Sequence, residues 1–311
     1  MIEDQSRREF LRTTLITSAA VATGSLNFLN TTDALAAEYP DVIVSYGNNP
    51  SEITRAAVDG LGGMTRFVKQ GSKVVIKPNM SFSSPPESAS NTHPEVVREV
   101  ARMCEKAGAS KISILDNTLR TPEDCLRMSR IPEYCKDIPK TSVNYIKAQR
   151  LFKEVKVPNG RQVKSMEVAS EVLDADVLIA VPVGKSHGSS GVSLSMKGMM
   201  GLIYDRMSFH SRYNLHESIV DMVTILKPNL VVIDGTRILG SGGPGGPGEV
   251  IPLNLVVAST DMVAADAQMV ALGTWYGKKF QPNQVKHIKI AAERGLGQSD
   301  LNKLNIRNIR S

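Results

Sequence analysis

What this 311-residue chain has little of narrows its options first. It carries three cysteines, Cys104, Cys125 and Cys135, and no Cys-x-x-Cys pair, so a cysteine-ligated iron-sulfur cluster or a structural zinc site is poorly supported. An odd count leaves at least one thiol unpaired. A Cys125 to Cys135 bridge closing a short loop is one option for the others, and Cys104 lies in a helical pattern that reads as buried. Aromatics make up only 5% of the residues, and lysines and arginines form no run longer than a pair. The chain therefore does not read as a nucleic-acid binder. Beyond the amino-terminal region no apolar run is long enough to cross a bilayer.

What is present begins at that amino end. Ser6-Arg7-Arg8-Glu9-Phe10-Leu11-Arg12 is followed by a mildly apolar stretch from Thr13 to Leu29 and then by Ala34-Leu35-Ala36. The order of basic region, apolar region and small-residue cleavage site is that of a twin-arginine signal peptide. Thr13, Thr14, Thr17, Thr23 and Asn27 make the stretch too polar to span comfortably. The sequence thus predicts a signal over residues 1–36 with cleavage near Ala36, a periplasmic or otherwise exported location, and the twin-arginine export machinery as a partner. That route carries folded proteins, commonly because a cofactor must be installed first. Removing residues 1–36 raises the formal charge from +6 to +7, a moderately basic balance that favours small anionic ligands.

The remaining residues, 37–311, have the length of a single α/β domain. Strand patterns at Val42 to Tyr46, Lys73 to Lys77 and Lys111 to Asp116 alternate with helical ones at Pro50 to Lys69 and Pro94 to Ala107. Residues 121–170 are less regular and read as a hairpin or small accessory lobe around the Pro158-Asn159-Gly160 turn. Strands then follow at Val177 to Val181, Leu230 to Asp234 and Ile251 to Ala258. Helices are expected near Leu194 to Ile203, Leu215 to Leu226, Met262 to Gly273 and Asn283 to Arg294. The predicted fold is α/β, a mainly parallel sheet with helices on both faces plus the accessory hairpin.

Ligands of such sheets bind beyond the carboxyl ends of the strands. There the sequence places Lys77-Pro78-Asn79, Asp116-Asn117, Gly184-Lys185-Ser186-His187-Gly188 and Asp234-Gly235. Behind them, Ser193 to Gly201 reads as a loop entering a helix whose free N–H groups, with Lys197, suit a phosphate or carboxylate. Each lysine is otherwise a solvated surface residue. His187 is a general acid/base, a metal ligand, or a loop histidine that binds only backbone. Gly184-Lys185-Ser186-His187-Gly188 also fits the G-x-S-x-G elbow of serine hydrolases, but no helix starts behind Ser186, which leaves an esterase as the weaker option. The two G-x-G-x-x-G matches in Gly240 to Gly248 precede a strand, not a helix, so a lid over the ligand and a plain bend both remain open.

In order, Lys77-Pro78-Asn79, Lys185-Ser186-His187, Met196-Lys197-Gly198-Met199-Met200-Gly201, Asp234-Gly235 and the Gly-Pro loop resemble a bacterial and archaeal family, domain of unknown function 362. The resemblance covers roughly Lys73 to Ala271. It implies a Lys-x-His element at Lys185 and His187 and a lysine-glycine segment at Lys197 and Gly198. The cysteine-rich, ferredoxin-like segment of some longer members has no counterpart here. A fainter similarity, of site chemistry, is to nickel-pincer lactate racemase, which uses lysine and histidine between two α/β lobes.

These readings converge on an exported protein of unassigned activity. The first expectation is an enzyme acting on a small carboxylate or phosphate, with a metal or metal-organic cofactor as an option. Lys77, Lys185, Lys197, Asn79 and Gly198 would bind the anion, His187 would move a proton, and Asp116 or Asp234 would hold metal or orient His187. A non-catalytic periplasmic binding or cofactor-assembly protein is the alternative.

Overall fold

The computed structural model describes residues 39–311; the expected signal and its cleavage point lie outside them. Strand β1 (Val42–Tyr46) leads into helix α1 (Pro50–Gly60), where the Asn49 side chain accepts N–H bonds from Ser51 and Glu52 and Pro50 opens the first turn. The helix stops at Gly60, short of the expected Lys69, because Gly62 and Gly63 take positive φ. Then come β2 (Lys73–Pro78), α2 (Pro94–Lys106) and β3 (Lys111–Asp116), close to expectation.

Short helices α3 (Pro122–Ser129) and α4 (Ile131–Cys135) precede β4 (Thr141–Tyr145). That strand is not part of the hairpin: it lies parallel to β3 as the sheet's edge. The hairpin itself is the separate antiparallel pair β5 (Phe152–Lys156) and β6 (Ser165–Ala169). Cys104, Cys125 and Cys135 are all free, buried thiols, so no Cys125 to Cys135 bridge forms.

The second half holds α5 (Ser170–Leu173), β7 (Val177–Val181), β8 (Val183–His187), β9 (Gly191–Ser193), α6 (Ser195–Gly198), α7 (Met207–Ser211) and α8 (Leu215–Val223). It ends with β10 (Leu230–Leu239), β11 (Val250–Ser259), α9 (Met262–Leu272), α10 (Lys286–Glu293) and β12 (Ile306–Arg310). The sheet runs β12-β1-β11-β10-β7-β2-β3-β4, with β8 also pairing β10 and β9. Most neighbours are parallel; β11 runs antiparallel to both β1 and β10, and β9 to β8.

The strand side chains alternate between two cores, as a sheet covered on both faces requires. Val75, Leu178, Ala180 and Ile233 face one cluster with α8, α9 and the β5-β6 hairpin. Val74, Ile76, Ile179 and Val232 face the other with α1, α2 and α4. This is the α/β, mostly parallel architecture that the sequence predicts. Two details move the site. The segment Val183 to His187, expected as a loop, is a strand, and β10 continues past Asp234 to Leu239 across a register shift at Gly235 to Arg237.

Candidate functional site

At the carboxyl ends of β2, β3 and β8 the chain forms a cleft with about 100 Å³ of free volume. Lys77 rises from β2 and its Nζ stands 3.1 Å from Asp116 Oδ1, both side chains being buried. The Lys77 ammonium also donates to the Pro78 carbonyl. Asp116 Oδ2 accepts from the Met80 N–H at 2.9 Å and from Ser81 Oγ at 2.8 Å, which fixes the carboxylate. Burial lowers the Lys77 pKa, and the charge of Asp116 opposes that shift. Asn79 uses Oδ1 to accept from the Val183 N–H at 3.1 Å, which ties the β2 end to the start of β8. Its Nδ2 is left on the cavity side, beside Gly198.

Alternation along β8 sends Lys185 and His187 into this cleft and Ser186 away from it. Lys185 Nζ donates to the Ser90 carbonyl at 2.7 Å and lies 5.1 Å from the centre of the Phe82 ring. Lys197, on α6, has Met200 Sδ as the one hydrogen-bond contact of its ammonium among the described residues, at 3.6 Å. Among the described residues neither of these two lysines has a carboxylate partner. Burial pulls the pKa of Lys185 down to about 7, against the charge of Asp116 and with Lys77, Lys197 and Arg237 helping, and that of Lys197 down to about 8, with Arg206 pushing in the same direction.

His187 accepts at Nδ1 from the N–H groups of Ser189 and Ser190, at 3.2 and 3.3 Å. That assigns its proton to Nε2. Burial, then Lys197, His210 and Lys185, lower its pKa to about 3, so the ring is a neutral donor at pH 7. The ring of His210 stacks on it at 5.6 Å.

Lys77, Asn79, Asp116, Lys185, His187, Lys197 and Gly198 therefore line one cavity. Asp234 does not. It sits within β10, where it accepts from the N–H of His93 at 2.8 Å, from Thr236 and from Arg237. These partners saturate the carboxylate and hold its pKa below the usual value against the opposing effect of burial. Nor is the start of α6 a free anion site. Asp266, from the middle of α9, already accepts from the N–H groups of Ser195 at 2.8 Å and Met196 at 3.0 Å. Ser186 is fully buried, and its Oγ accepts from the Gly243 N–H at 3.0 Å, so the hydroxyl of the G-x-S-x-G match faces the Gly-Pro loop and not the cavity. That loop contributes Pro244 to the wall.

Sequence reasoning missed Arg206, His210, Leu119 and Met207, which also line the cleft. Arg206 Nη2 donates to Asn117 Oδ1 and the Thr118 carbonyl, at 3.2 and 2.9 Å. These residues follow irregular backbone, where neither periodicity nor strand ends single them out. The larger cleft beside Lys73, Lys111 and Glu171, about 380 Å³, holds a closed Lys111–Glu171 ion pair and no comparable excess of charge.

The model of the domain of unknown function 362 (DUF362) matches residues 74–271, from β2 into α9. The chain belongs to the DUF362 family. Every residue named above as lining the cleft falls within the DUF362 match. A thylakoid-associated protein of Synechocystis sp. is 27% identical over 239 residues, covering 68% of this chain and 66% of that protein. The lactate racemase apoprotein of Thermoanaerobacterium thermosaccharolyticum is similar in structure with a TM-score of 0.46 and 11% identity, over 74% of this chain and 57% of that one. The chain thus spans just under two thirds of the Synechocystis relative and a little over half of the racemase. At that TM-score the racemase likeness says nothing about the chemistry of this cleft. No helix among the described residues is long and apolar enough to cross a membrane.

Among the described residues no group of three His, Cys, Asp or Glu side chains is placed to hold a metal ion. Lys77, Lys185 and Lys197 also repel a bare cation. A divalent ion held directly by side chains does not fit this cavity.

Proposed function

We propose that this DUF362 chain is an exported protein whose cavity takes a small oxyanion, carboxylate or phosphate, and performs acid–base chemistry on it. One observation carries the reading: three buried lysines converge on one cleft that holds a single carboxylate, Asp116. Buried charge without a partner is costly, and an anionic ligand removes the cost. A water needs about 10–15 Å³ of such space, so the volume suits a ligand portion of roughly seven to ten heavy atoms.

The residues divide the work by their protonation. Lys77 is held by Asp116 and acts as a fixed charge. Lys185 and Lys197, poised near neutrality, bind the anion as ammonium groups and release or take up a proton as amines. His187, expected from sequence to move the proton, stays neutral and donates from Nε2 to the ligand. Asn79 Nδ2 orients it. The second reading, a binding or cofactor-assembly protein, is favoured by one feature: His187 Nδ1 meets only backbone N–H groups and no carboxylate that would make the ring a base. The twin-arginine machinery completes the proposed partners, through residues 1–36.

Calorimetry with inorganic phosphate and with two- to four-carbon hydroxy and keto acids tests both readings. Binding is expected to take up protons at pH 7 to 8 and to weaken as pH rises through that range. Lys185→Met should lose at least about tenfold in affinity, as a charge-assisted hydrogen bond is worth about 1.5–3 kcal/mol. Turnover of any bound acid selects the enzyme; tight binding without turnover selects the accessory role. No binding by wild type at any pH would overturn the anion site.

A further inference from the structure

We infer that the ligand of this cavity is amphipathic: an oxyanion head sits among Lys77, Lys185 and Lys197, and one apolar arm leaves over Leu119 and Met207. The inference rests on the anion-site reading above and adds the class of molecule. Its basis is that the lining is of two kinds at two depths. Lys77, Lys185 and Lys197 are buried, with Phe82 against Lys185 and Met200 against Lys197, whereas Leu119 and Met207, which line the same cavity, are exposed. Leu119 is 46% exposed and Met207 67% exposed.

Single exposed apolar side chains are ordinary. Two that line the same cavity as three buried lysines are a different arrangement, because the lysines fix what occupies the inner end and the exposed pair marks the way out. The Leu119 backbone N–H is held by the Ser81 carbonyl at 3.0 Å, so the segment is tied to the cavity. The free volume accommodates a head and two or three carbons, and anything longer must cross Leu119 and Met207.

The probes are homologous series: inorganic phosphate and its methyl, ethyl, butyl and hexyl monoesters in one arm, and acetate, butanoate and hexanoate in the other. The two arms separate a phosphate head from a carboxylate head. Calorimetry at pH 6.5 on the wild-type protein should show affinity rising by about two- to fourfold per methylene, the range from half to full burial of a CH₂, until the arm clears the mouth. In the Leu119→Ser/Met207→Ser double variant, the ratio of hexyl phosphate to inorganic phosphate affinity should fall at least fivefold. The wild-type series stands without that variant should it fail to fold. Tight binding of inorganic phosphate or acetate with flat or falling affinity along either series overturns the amphipathic ligand and leaves the anion site intact. Hexanol binding as tightly as hexyl phosphate overturns the anion site instead.

Discussion

Gly201 leaves no room for a methyl group. A Cβ there would overlap Asp116 Oδ1 and the end of the Lys77 side chain, so the bare backbone is what lets that ion pair close beneath the cavity. Gly201→Ala should cost about 1–3 kcal/mol, the usual cost of overpacking, read by denaturant unfolding, and should weaken phosphate binding in parallel. At His187 the expected signature is a negative one. Burial and the lysines keep its pKa near 3, so its ring signals in NMR should not titrate between pH 5 and 8 and should report the Nε2–H tautomer. A midpoint near the ordinary histidine value of about 6.5 would contradict the geometry. Most of the lining was legible in the sequence because Lys77, Asn79, Asp116, Lys185 and His187 stand at or beside strand ends. Arg206 and His210 were not legible, since only the tertiary path between α6 and α7 brings them over the cleft.

The loop between β2 and α2 is kept in place by β10. Arg237 donates to the carbonyls of Pro86 and Asn91, and Asp234 accepts from the N–H of His93, so one buried ion pair clasps both halves of the loop. The same loop supplies Phe82 and the Ser90 carbonyl to Lys185. Arg237→Met removes one partner and strands the Asp234 charge, which typically costs about 3–5 kcal/mol. Limited proteolysis should then cut within Ser83 to Ser90, and phosphate affinity should drop. Asp234 looked like a site residue because the sequence pattern of β10 breaks at Asp234-Gly235, whereas the strand bulges there and goes on. Strand β8 was hidden for a related reason. After Val183 the strand reads Gly-Lys-Ser-His, with no further β-branched residue, and its place in the sheet comes from pairing with β10 and β9. The last strand, Ile306–Arg310, carries only two apolar residues and gains its place by pairing with β1.

For the whole molecule the lowered lysine pKa values set a pH dependence. An unfolded lysine titrates near 10.4, whereas Lys185 and Lys197 titrate near 7 and 8 when folded. Between about pH 7 and 10 these two groups bind more protons in the unfolded chain than in the native one, so their contribution to stability rises with pH. Burial raises the pKa values of Cys104, Cys125 and Cys135, so these thiols act the other way once pH passes about 8.5, where an unfolded cysteine ionises. The apparent Tm should climb from pH 7 toward 8, and saturating phosphate should flatten the climb by stabilising most at the acid end. A Tm that falls over this window in the absence of phosphate would contradict the burial of uncompensated lysines. Alternation in β8 adds a last consequence. Two of the cavity's polar groups are placed by the parity of one short strand: dropping a single residue between Pro182 and Lys185 would turn Lys185 and His187 away from the cavity and Ser186 into it. A deletion of one residue would thus trade an ammonium and an imidazole for a hydroxyl while Lys77 and Lys197 stay in place.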